Sequence, residues 1–191
     1  MFNITAPHWH LLMNHLPVVG VMAAVLLLIW AMIRNNAELK RTALLTFVLV
    51  AIFAFLANFT GDGAAHVARD IPGVNRQDIR EHSSMADKAT YLSLIVGAVA
   101  LIGLIDGWRR KDHGPADNAI VNYVRHHKEP HKAYIIACLV LGLLQVYLLA
   151  WTAELGGEIR HPEINSGYVA PANPTPAGQT PAGQDTSEDS D

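Results

Sequence analysis

Four stretches of the chain, residues 16–33, 42–59, 89–105 and 134–153, contain no Asp, Glu, Lys or Arg, and polar segments separate them. A helix needs about 17–25 predominantly apolar residues to cross a hydrocarbon core, and each stretch falls in that range. None shows the strict alternation of a membrane barrel strand. The pattern predicts an all-α integral membrane four-helix bundle in one domain over residues 1–163. Its spans are expected at about 9–33, 42–60, 86–108 and 133–153.

Composition agrees. Apolar residues make up 51% of the 191 and charged ones 16%, against about 25% charge in an ordinary soluble domain. The mean hydropathy is +0.20, which argues against a soluble enzyme. Net charge is −3 with an even balance, so there is no nucleic-acid footprint. The one cysteine, Cys138, lies in the middle of the fourth stretch, which excludes disulfides, CxxCH haem attachment, cysteinyl iron–sulfur clusters and thiolate zinc sites within this chain. GxSxG, P-loop and HExxH signatures are absent, so an electron-transfer or accessory subunit is expected rather than a stand-alone enzyme.

Short basic segments resist translocation, so Lys and Arg set the orientation. Nine of the fourteen lie in the first and third connections, which would face the cytoplasm: Arg34, Lys40, Arg41, Arg109, Arg110, Lys111, Arg125, Lys128 and Lys132. Both termini are therefore expected outside, in the periplasm of a bacterial inner membrane. The N-terminus lacks a basic signal-peptide region, and no cleavage is expected. Residues 168–191, rich in Pro, Ala and Gly and then acidic, are expected to form a disordered tail. Residues 61–88 read as a loop with a turn at Ile71-Pro72-Gly73. Asn75 with Asp78 then starts the third helix outside the bilayer.

The chain has ten histidines. His113, His126, His127 and His131 fall on the inner side, three of them among Arg125, Lys128 and Lys132, and read as a solvated basic rim. His8, His10, His15, His66, His82 and His161 fall on the outer side. His10 and His15 are five residues apart, hence about 140° apart on a straight helix, and do not share a face. His15 enters the first span at bilayer level, where an ionisable residue points to function. His82 shares a row with Ile79, Ala86, Ala89, Ser93, Gly97, Ala100 and Leu104, and small residues mark the face where membrane helices approach. Gly156-Gly157 is expected to end the fourth helix and let Arg160 and His161 fold back towards the same layer. His66, after Gly61-Asp62-Gly63, reads as an exposed loop residue.

The segment His10-Leu-Leu-Met-Asn-His15-Leu16-Pro17 resembles the start of the uncharacterised DUF2231 family of four-span membrane proteins. Thr60-Gly61-Asp62 after the second span, and a histidine leading into the third, are similar to that layout; Leu11 stands where the family usually has Pro. The resemblance brings no established activity. It implies that His10, His15, His82 and His161 belong to one site.

These readings favour a small b-type cytochrome-like electron carrier. Haem b is held by imidazoles from two helices, with His15 and His82 as the expected axial pair and His10 and His161 as second ligands or orienting groups. Arg160, Arg69 or Arg76 would pair with propionates. Membrane lipid, quinone, a periplasmic electron acceptor and other membrane subunits are the expected partners. Two alternatives stay open: a cofactor-free structural subunit, and a copper or zinc site using histidines with Glu154, Glu158 or Asp62.

Overall fold

The computed structural model describes residues 5–71, 74–109 and 130–161, the side chain of Arg160 excepted. These form four helices and no strand: α1 (Ala6–Ile33), α2 (Ala37–Ala68), α3 (Arg76–Arg109) and α4 (Lys132–Arg160). Each helix packs on its neighbours in sequence, and α1 closes the ring on α4. That makes α1 and α3 one diagonal of the bundle, without close backbone approach. The inner histidines His113, His126 and His127, and the tail at 168–191, lie outside the described residues.

All four helices are long and apolar enough to cross a membrane. At 28–34 residues they measure about 42–51 Å, against about 30 Å of hydrocarbon, so they project beyond it. Only 28–39% of each most apolar window is buried inside the bundle. The remainder, including Phe59, Ile33, Leu26 and Val140, faces outward. Such a surface needs lipid rather than water as its solvent. Multi-pass membrane architecture is thus a property of the fold.

The interior is built from small residues and a few large ones. The row predicted to face the bundle on α3 does so: Ile79, Ala89, Ser93, Gly97 and Ala100 are buried. A Cβ on Gly97 would come 2.5 Å from the Ala51 Cβ, so α2 and α3 meet nearly backbone to backbone. Phe47 fills the centre beside Val21, Leu28, Leu44 and Val96. A polar tie crosses this layer. Gln145, fully buried on α4, donates through Nε2 to Ser93 Oγ at 2.8 Å, and Ser93 donates to the Ala89 carbonyl at 2.7 Å.

Local sequence explains the ends. Pro7 opens α1, where its missing N–H costs nothing. Asn35 takes the left-handed conformation at φ 45°, and Asn36 caps α2 by accepting from the Leu39 N–H at 3.0 Å. Asn75 starts α3 as expected, its Oδ1 accepting from the Gln77 N–H at 2.9 Å. His131 lies at the start of α4, where its Nδ1 accepts from the Ala133 N–H at 3.2 Å.

Two expectations are corrected. Residues 61–68 are not a loop: α2 runs through Gly61 and Gly63 to Ala68, and His66 is an exposed helical residue. Gly156-Gly157 does not end α4, which continues to Arg160. Glycine inside a helix costs only about 1 kcal/mol. At Gly63 and Gly156 a neighbouring side chain crowds the space a Cβ would take, so packing against that neighbour outweighs the cost; at Gly61 a Cβ would meet His10 at ordinary contact distance.

Candidate functional site

At one end of the bundle two imidazoles meet across its diagonal. His10 of α1 and His82 of α3 have ring centres 6.3 Å apart and planes at 88°. Both are partly buried. His10 Nδ1 lies 3.0 Å from the Ala57 carbonyl of α2, and His82 Nδ1 lies 2.9 Å from the Thr152 carbonyl of α4. All four helices therefore converge on the ring pair.

A carbonyl oxygen can only accept, so in both neutral rings Nδ1 carries the proton and Nε2 carries the lone pair. Neither Nε2 has a hydrogen-bond partner among the described residues. An imidazole held by Nδ1–H on a backbone carbonyl, with Nε2 bare, is oriented as metal-binding histidines usually are.

The same device seats both rings. Each histidine addresses a carbonyl whose residue is followed, four positions on, by glycine: Ala57 by Gly61, and Thr152 by Gly156. A Cβ at Gly61 would come 3.5 Å from His10 Cε1, and one at Gly156 would come 3.0 Å from His82 Cε1. The missing side chain at Gly156 gives the His82 ring its room, whereas at Gly61 a Cβ would meet the His10 ring at ordinary contact distance. This correspondence between the two helix pairs was hidden in the sequence because the flanking residues differ.

Burial of His82 disfavours its charged form and pulls its pKa below the ordinary 6.5, against the raising effect of the Thr152 carbonyl. The neighbouring His10 also lowers it. His82 stands about two turns ahead of the charge-free part of α3, so this shift belongs to the extension beyond the span. One turn along α1 from His10, on the same face, the Asn14 Oδ1 is buried without a donor.

The other sequence-predicted residues are placed differently. His15 is exposed, and its Nδ1 sits 2.6 Å from the Leu11 carbonyl of its own helix. Its angular offset from His10 carries it off the bundle face, so the structure brings His10, and not His15, beside His82. His161 is exposed at the end of α4, its N–H donating to the Gly157 carbonyl at 2.9 Å. The Arg160 side chain lies outside the described residues, while Arg69 and Arg76 are exposed between α2 and α3. Among the described residues no three His, Cys, Asp or Glu side chains converge as a metal-ion cluster. No protein-family model, curated protein or solved structure matches the chain.

Proposed function

We propose that this chain is a b-type cytochrome-like electron-transfer subunit in which His10 and His82 would hold one haem. The observation that carries the reading is the convergence of two imidazoles from diagonal helices, their Nε2 atoms without hydrogen-bond partners among the described residues. A zinc or copper site needs three or four protein ligands. A haem supplies four equatorial nitrogens itself, so two imidazoles complete it.

When bound, the haem would supply one-electron chemistry. The chain's part is to hold both rings in the Nδ1–H tautomer on backbone carbonyls of α2 and α4. Quinol in the membrane and an acceptor outside it are the fitting partners. One site at one end cannot carry electrons across the bilayer alone, so further subunits belong to this reading. With the basic residues at the opposite end facing the cytoplasm, the ring pair and both termini lie on the periplasmic side of a bacterial inner membrane. A cysteine at exposed Ser83 should then react with a membrane-impermeant reagent in spheroplasts and one at Lys132 should not; reversed labelling refutes this orientation.

The decisive experiment is the reduced-minus-oxidised visible spectrum of purified protein, with metal analysis of the same sample. A low-spin haem spectrum that is lost in His10→Gln and His82→Gln supports the ligand pair. Absence of haem from the wild-type protein overturns it. A second reading then takes over, favoured by the same carbonyl bonds: the rings are clips tying α1 to α2 and α3 to α4 in a cofactor-free structural subunit. Glutamine discriminates between the two. Its amide N–H can still reach a carbonyl, preserving a clip, but it cannot replace an imidazole on haem iron.

A further inference from the structure

Trp9 and Trp30 are exposed on α1 and stand about 31 Å apart along its axis, close to the hydrocarbon thickness of about 30 Å. Exposed tryptophans gather at the two membrane interfaces, and Arg34 lies over the Trp30 ring at 5.7 Å, where the charge-free run ends. His15, about 9 Å inward from Trp9 along the helix, is therefore within the apolar layer. Its side chain is exposed, as are Leu11 and Leu12 one turn before it and Val19 one turn after. Ionisable side chains inside spans almost always face the bundle interior. This one faces the acyl chains.

Hydrogen bonding defines what the ring can do there. His15 Nδ1 lies 2.6 Å from the Leu11 carbonyl, so the neutral ring keeps its proton on Nδ1 and presents Nε2 as an acceptor. Among the described residues nothing donates to that Nε2. A bare acceptor away from water is costly, and lipid headgroup donors lie higher, at the level of Trp9. The donor that fits travels in the bilayer: a hydroxyl on an apolar ring. His10, the nearer half of the ring pair, is only about 7.5 Å away along the axis of the same helix. We propose that His15 binds a lipid-soluble hydroquinone by accepting from its hydroxyl, and takes that proton as one electron leaves for the haem at His10 and His82; this rests on the haem reading above. The O–H bond breaks and an Nε2–H bond forms. The imidazolium then releases its proton towards the outer boundary. Once the outside acceptor has taken the first electron, a second such step completes the oxidation to quinone, with two electrons and two protons removed in all.

The test uses the full-length protein in nanodiscs and follows reduction of the haem band by stopped flow, with dithionite in one arm and a short-tailed hydroquinone in the other. In His15→Ala and His15→Gln the spectrum and the dithionite reduction should match the wild type, while the hydroquinone rate falls about a hundredfold. Glutamine can still accept the hydrogen bond but cannot take the proton, so His15→Gln should keep the wild-type KM and lose only the maximal rate. Leu26→Ala, on the lipid side of α1 nearer its other end, should leave both reductions unchanged. Wild-type protein that dithionite reduces and hydroquinone does not overturns the proposal and leaves the haem reading standing. Equal hydroquinone rates in the wild type and either His15 variant do the same. Wild-type protein without haem refutes the haem reading, and this proposal with it.

Discussion

The α1–α2 and α3–α4 pairs are built on one plan and executed with different tightness. In each, the first helix sends an imidazole to a carbonyl of the second, and glycine stands four residues on beside the ring. The His10 notch is relaxed, since a Cβ at Gly61 would meet the ring at ordinary contact distance. The His82 notch is tight, since the same atom at Gly156 would sit 3.0 Å from the ring. Burial pulls the His82 pKa below its ordinary value. The lesson is that His82 is the fixed half of the pair and His10 the adaptable half.

The largest effect should come from removing the fixed half. His82→Ala deletes the bond to Thr152 and empties the tight notch, and should cost about 1–3 kcal/mol of stability, together with any haem spectrum. His10→Ala should abolish the spectrum but destabilise by about 1 kcal/mol or less. Denaturant titration in micelles measures both, and equal losses would remove the asymmetry.

Glycine replacements should differ in sign. Gly156→Ala forces the His82 ring or α4 to shift and should destabilise by about 1–3 kcal/mol. Gly61→Ala meets no such obstacle, and by helix propensity should be neutral or stabilising by up to about 1 kcal/mol. Destabilisation by both to the same degree would show that the two notches are equally tight.

Acidification should weaken the fold through His82. Because its folded pKa lies below the unfolded value of 6.5, the unfolded chain takes up the proton first. Its contribution is complete above that value and is lost as pH falls through and below it. His82→Gln should flatten this part of a thermal-midpoint profile measured against pH. An unchanged slope would assign the acid sensitivity to other groups.

The smallest effect is expected at His15. It is exposed and bonded within its own helix, so His15→Ala should leave the spectrum intact and change stability by no more than about 0.5 kcal/mol. Loss of haem in that variant, with retention in His10→Ala, would restore the pairing that the sequence pattern suggests.

Much of this molecule is dictated locally. Charge-free runs of bilayer length determine four helices. Asn36 and Asn75 determine two of the helix starts, because a cap satisfies backbone donors within a few residues of itself. The small-residue row on α3 already placed His82 on the bundle side. What the sequence could not determine is which residue answers His82. His10 and His15 are chemically alike and both on α1, and the choice depends on how that helix is rotated against α2 and α3. Tertiary packing sets the rotation through contacts such as Gly20 on Val50 and Phe47 in the centre. The glycines show the same division. Read locally, Gly61 and Gly156-Gly157 are helix breakers; in the bundle all three are helical, and Gly156 leaves room for the His82 ring on the Thr152 carbonyl, which outweighs the small cost of glycine in a helix.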